Sequence, residues 1–140
     1  MSTPNSEEAQ PKSGFTVANW EAFWSHPDLA RAGHFATPDI LGDWPGDPAP
    51  VRGPDAYRAR IQQVVDQVPD IRLVAAEHAV NGDVIFIRWI ARGTGVNGPF
   101  EMDGIDRILL QDGLIKENII RFDPGRFAEL VLGNKRTGED

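Results

Sequence analysis

The sequence predicts an α+β fold in which helices come first and a curved antiparallel sheet follows. Apolar residues recur at helical spacing up to Pro69. Beyond Pro69 they alternate, and the alternation is interrupted by Asn81-Gly82 and Asp112-Gly113, dipeptides suited to tight hairpin turns. The length of 140 residues corresponds to one domain able to bury roughly 70% of its unfolded surface.

Thr16 is placed to cap the first helix, whose face carries Val17, Trp20 and Trp24. Pro27 ends it, and Asp28 is positioned to cap a short second helix through DLARAGHF. Ile40 and Leu41 suggest a brief strand, and the Pro- and Gly-rich stretch after it reads as a long irregular loop. Pro54 suits the first position of a further helix, with Tyr57, Ile61, Val64 and Val65 on its apolar face. Pro69 stops that helix. Strands are expected at about 71–80, 83–93, 99–111 and 114–122. GTGVNG forms the connection between the second and third of these, and a last helix, GRFAELVL, follows Pro124. Residues 1–14 and 134–140 are polar and read as disordered tails around a single domain at 15–133.

Composition removes several function classes. There are no cysteines, which excludes disulfides, thiolate metal sites and a cysteine nucleophile. Lys and Arg number 14 against 21 Asp and Glu, and the net charge of −7 would repel nucleic acid. No apolar run approaches a membrane span, and the N-terminus lacks the features of a signal peptide, so a cytoplasmic protein is expected. His26, His34 and His78 have no metal-binding spacing, and no metal or cofactor is expected. The nucleophile-elbow and phosphate-loop motifs are missing.

Alternation assigns the faces of the strands. In strand 83–93 the odd residues Ile85, Ile87, Trp89 and Ala91 form the core face, and the even residues face water or a subunit interface. In strand 99–111 the core face is Phe100, Met102, Gly104, Asp106, Ile108 and Leu110, and Asp106 is its one charge. A carboxyl in apolar surroundings should have a raised pKa, and it needs either a structural partner or a task. In the last strand Asn118, Ile120 and Phe122 are assigned inward, and Ile115, Glu117, Ile119 and Arg121 outward.

WEAFWSHPDL, HFATPDILGDW, RGPDAYRARI and GIDRILLQDGLIKENIIRFD follow one another in an order that resembles the nuclear-transport-factor-2-like superfamily. Within it, the chain is similar to the SnoaL-like polyketide cyclases and ketosteroid isomerases over about residues 15–132. The resemblance implies a cone of bent antiparallel sheet around the N-terminal helices, with a deep apolar pocket and a homodimeric assembly. It assigns Asp43, ten residues before Gly53, to a general base, and Asp106, seven before Gly113, to a protonated oxyanion donor or acid/base. Asp47 is an alternative to Asp43 if the loop register shifts. Trp20 stands where the isomerases carry a Tyr. Similarity also reaches the limonene-epoxide hydrolases through FDPGRFAEL, but their Asp–Arg–Asp set is missing, with Ile120, Ile87 and Trp89 near those positions.

The resulting expectation is a small cofactor-free enzyme moving protons on a hydrophobic, enolisable carbonyl compound, as an isomerase or cyclase. Trp20, His34, Trp44, Trp89, Asn118, Ile120 and Phe122 are the expected pocket residues. The alternative is a non-catalytic module that binds a hydrophobic ligand or dimerises.

Overall fold

The computed structural model describes residues 14–133. The tails expected at 1–14 and 134–140 lie outside the described residues, Gly14 apart. Within them the chain is α+β, with three helices and a six-stranded sheet.

Helix α1, Val17–Ser25, opens on the expected cap: the Asn19 amide donates to Thr16 Oγ1 at 3.2 Å, and the Thr16 amide donates back to Asn19 Oδ1 at 3.0 Å. The short second helix does not form. Residues 29–35 are successive turns, held by three-residue bonds such as Arg31 N–H to Asp28 O at 2.8 Å and His34 N–H to Arg31 O at 3.0 Å. Asp28 caps only the first of them, and Gly33 adopts φ 84, which ends any helical propagation.

The brief strand predicted at Ile40 and Leu41 is the centre of an eight-residue strand, β1 (Ala36–Asp43). A two-residue strand, β2 (Val51–Arg52), lies inside the predicted loop and pairs with it. Helix α2 runs from Pro54 to Gln67. The meander follows as β3 (Arg72–Asn81), β4 (Val84–Gly95), β5 (Gly98–Gln111) and β6 (Leu114–Arg121), and helix α3 (Pro124–Leu132) closes the fold.

The spatial order is β2-β1-β6-β5-β4-β3. All neighbours are antiparallel except β1 and β6, which run parallel, so the sheet is mixed. The parallel pair joins the first strand to the last hairpin and sets the early elements against the late ones. The turns also differ in detail from expectation. Asp112 and Gly113 both take positive φ, as their dipeptide requires. The first hairpin turns one residue later than expected, at Gly82-Asp83, with positive φ only at Gly82. The longer connection expected at 93–99 is a two-residue turn, Val96-Asn97, because Gly95 pairs with Gly98.

Face assignments in β4 and β5 follow the alternation. Ile87 and Ile108 are fully buried, while Phe86 and Ile105 are exposed on the other face. Ile115 corrects the outward assignment: it is buried at 6% exposure. The register shifts between Leu109 and Leu110, which pair with Glu117 and Ile115 and leave Lys116 as an extra residue. A bulge of this kind inverts the parity of everything beyond it.

Gly104 lies opposite Trp89 across β4 and β5. A Cβ there would enter the space of the Trp89 ring and approach the Arg121 carbonyl to 2.7 Å. Gly104→Ala should therefore destabilise the fold by about 1–3 kcal/mol. Urea denaturation would measure it, and a change within about 0.5 kcal/mol, the range of a neutral surface substitution, would contradict this packing.

Candidate active site

A cavity of about 200 Å³ opens between the sheet and the helices. Trp20, Trp24, Trp44 and Trp89, which are all the tryptophans of the chain, line it. Its walls are apolar: Ile120 comes from β6, Phe122 follows that strand, and Phe127 comes from α3. Trp89 meets Phe122 at 6.0 Å between ring centroids, and Phe122 meets Phe127 at 5.6 Å. Aromatic contacts at these separations stabilise the wall beyond simple burial.

Asp106 is the buried charged group in this apolar lining, at 5% exposure. Helix α1 sends the Trp20 Nε1–H to its Oδ2 at 3.2 Å, and β4 sends the Trp89 Nε1–H to its Oδ1 at 2.8 Å. One indole donor thus reaches each carboxyl oxygen. Burial pushes the Asp106 pKa up to about 6, opposed in turn by the N–H groups of Trp89, Trp20 and Asn118. Indole nitrogens donate and never accept, so neither Trp can remove the acid's proton.

Beside it lies a second polar pair. Asn118 Nδ2 donates to Tyr57 Oη at 2.8 Å, both side chains being buried and lining the cavity. Burial pushes the Tyr57 phenol well above its ordinary pKa, with the Asn118 bond opposing the shift and the Asp106 charge adding to it. Tyr57 thus keeps its proton and retains a donor. Sequence reading placed Tyr57 only on the apolar face of α2. Its position opposite a polar inward residue of β6 depends on tertiary packing and left no local signal.

The two carboxyls assigned by resemblance are not brought together. Gly42 faces inward, where a Cβ would meet Trp44 at 2.7 Å and Tyr57 at 2.9 Å. Asp43 therefore points to the opposite face, in register with the outward Ile119, and its Oδ2 accepts from Arg121 Nη2 at 3.2 Å. It is absent from the cavity lining. Asp47 is also committed elsewhere, accepting from Arg60 at 2.8 and 3.2 Å.

The remaining expected residues reach the cavity. Trp44 is a buried wall that contacts Tyr57 at 5.7 Å, with the Arg60 guanidinium 5.1 Å above its ring. His34 lies at the exposed rim, edge-on to Phe35 at 5.2 Å. Among the described residues no group of three His, Cys, Asp or Glu could hold a metal ion, and no helix is long and apolar enough to cross a membrane.

Stability should carry the signature of Asp106. Its carboxyl titrates at 3.8 when unfolded and about 6 when folded, so between these values the native state holds more protons. The stabilisation is complete below the unfolded value and is lost as pH rises through 6. Relative to Asp106→Asn, wild type should lose about 1.4 kcal/mol between pH 5 and pH 8. Urea unfolding of both proteins tests this, and parallel pH profiles would refute it.

Residues 17–118 match the SnoaL-like domain family. No curated protein sequence matches the chain. Among solved structures, the chain is similar to TerC co-crystallised with polyporic acid, at 20% identity over 79% of this chain and 90% of that one, with a TM-score of 0.69. A Catenulispora acidiphila protein of ketosteroid isomerase-like fold, in complex with trimethylamine, is 14% identical over 81% and 89%, TM-score 0.74. A putative SnoaL-like polyketide cyclase from Jannaschia is also 14% identical, over 91% and 100%, TM-score 0.72. These likenesses show a shared fold, and with the family match over most of the domain, the chain belongs to the SnoaL-like domain family.

Proposed function

We propose that this protein is a cofactor-free acid/base enzyme acting on a hydrophobic, enolisable carbonyl compound, as an isomerase or a polyketide-cyclase-type catalyst. The observation that carries the reading is Asp106: a carboxyl buried in an apolar cavity, held by two N–H donors that cannot take its proton. A group titrating near 6 exchanges protons readily in both directions around neutral pH.

In this reading ionised Asp106 removes a proton from the carbon beside the carbonyl. The C–H electron pair becomes the enolate double bond, and the carbonyl π pair moves to oxygen. Tyr57 is the neighbouring donor for that oxygen, since Asn118 leaves its O–H free to donate. Protonated Asp106 then returns its proton. Delivery to another carbon of the enolate system gives isomerisation. Attack of the enolate carbon on a second carbonyl forms a carbon–carbon bond, and the proton goes to the new alkoxide. One carboxyl serves both steps, because Asp43 does not line the cavity.

The TerC complex with polyporic acid and the putative polyketide cyclase support a small-molecule role for the cavity. That no second carboxyl stands beside Asp106 at the buried end of the cavity favours the other reading, a ligand-binding module without catalysis. A second copy of the chain is the proposed partner for the outer sheet face, where Val74, Phe86 and Ile105 are exposed.

Titration with phenols and polyketide-like enols, read by absorbance, separates the two readings. An enzyme should bind such compounds as their anions in wild type and lose this in Asp106→Asn. On an identified substrate, that substitution should lower kcat by about 10²–10⁴ while the fold is kept. Unchanged turnover would refute the role of Asp106, and no ionised binding in either protein would favour the binding module.

A further inference from the structure

The cavity has two chemically distinct ends. Asp106, Tyr57 and Asn118 form the buried polar end. The other polar side chains of the lining are Asn19, which is bonded back to Thr16 at the start of α1, and four exposed residues from the end of α1 and the turns after it, His26, Asp28, Arg31 and His34. Asp28 is engaged locally, its carboxylate accepting the Ala30 amide at 3.1 Å. Arg31 has no such partner among the described residues. Seven other arginines make ion pairs with carboxylates, those at 58, 60, 88, 92, 107, 121 and 126, Arg72 donates to a backbone carbonyl, and Arg52, also without a partner among the described residues, does not line the cavity. Among the described residues, Arg31 makes no side-chain hydrogen bond or ion pair, although acidic groups outnumber basic ones by seven in this chain.

We propose that Arg31 is a specificity residue for the substrate, and that the substrate carries a carboxylate at the end remote from its reacting group. This rests on the acid/base reading of the cavity and adds a substrate class to it: an elongated, apolar acid with an enolisable or phenolic head. The head lies at Asp106, the apolar body lies against the tryptophans, and the carboxylate stays at the mouth. A guanidinium suits this task because its planar fork matches a carboxylate and its charge persists at every working pH. His26 and His34 offer further N–H donors beside it. The arrangement also orients the ligand. A carboxylate driven inward would lose its hydration against the apolar walls without gaining a cation, so the charged end stays at the mouth beside Arg31.

The probes are 6-hydroxy-2-naphthoic acid and its methyl ester, which differ in one charge at the end opposite the hydroxyl. Quenching of the four cavity tryptophans reports affinity. Wild type should bind the acid about tenfold more tightly than the ester at low salt, the gain of one partly exposed charge-assisted hydrogen-bonded pair. Arg31→Gln should reduce this ratio to about one without changing the affinity for the ester, and Arg31→Lys should keep part of it. Raising the salt concentration should shrink the wild-type ratio. Equal affinities in wild type, or a preference that survives Arg31→Gln, would overturn the proposal. Asp106→Asn separates it from the reading it rests on: this variant should keep the preference for the acid while losing the absorbance change of the ionised naphthol. A charge preference without that absorbance change in wild type would count against Asp106 alone.

Discussion

The hydrogen bonds from two indoles to one buried carboxyl organise this molecule. Trp20 comes from the first helix and Trp89 from the middle of the sheet, and the two grip opposite oxygens of Asp106. Each indole body is also a wall of the cavity, so one set of contacts fixes the helix on the sheet, the cavity shape and the carboxyl orientation. Gly104 permits this, because a side chain there would occupy the Trp89 ring position. Trp20, Trp89, Gly104 and Asp106 thus form one packing unit.

That unit explains why the carboxyl tolerates burial without an ion pair. A nearby cation would hold the pKa low and make Asp106 a weak base. Neutral donors, the two indoles and Asn118, compensate only part of the desolvation, which leaves the group poised between its forms. The arginines of the sheet are directed to the outer face instead, where Arg88 bonds Glu77 and Asp103, and Arg92 bonds Glu101. Cations are thereby kept away from the buried end of the cavity.

Asp106 was legible in the sequence because a charge on the apolar face of an alternating strand stands out against its neighbours. The helical face of α1 and the turn at Asp112-Gly113 were legible for the same reason: both depend on local spacing. The partner roles were less so. Asp43 follows an inward glycine, and only the tertiary position of Trp44 and Tyr57 shows that Gly42, not Asp43, faces inward. Ile115 was misassigned because a bulge at Lys116 inverts the alternation, and nothing in the residue types marks that bulge. The failed helix after Pro27 had a cap but also Gly33, whose positive φ decided the outcome. The parallel pairing of β1 with β6 joins segments far apart in the chain, where periodicity carries no information.

That pairing has a consequence for synthesis on the ribosome. β1 lies between β2 and β6, and β2 is only two residues long, so the last strand supplies most of its pairing. Asp106 likewise waits for the strand after it, since Asn118 arrives twelve residues later. A nascent chain therefore exposes the tryptophan-rich side of α1 and one edge of β1 until nearly the whole domain has emerged. Pairings of such long sequence separation form slowly, after most of the loop-closure entropy has been met. The binding cavity is one of the last features to exist, and the unfinished chain is at its most adhesive just before it closes.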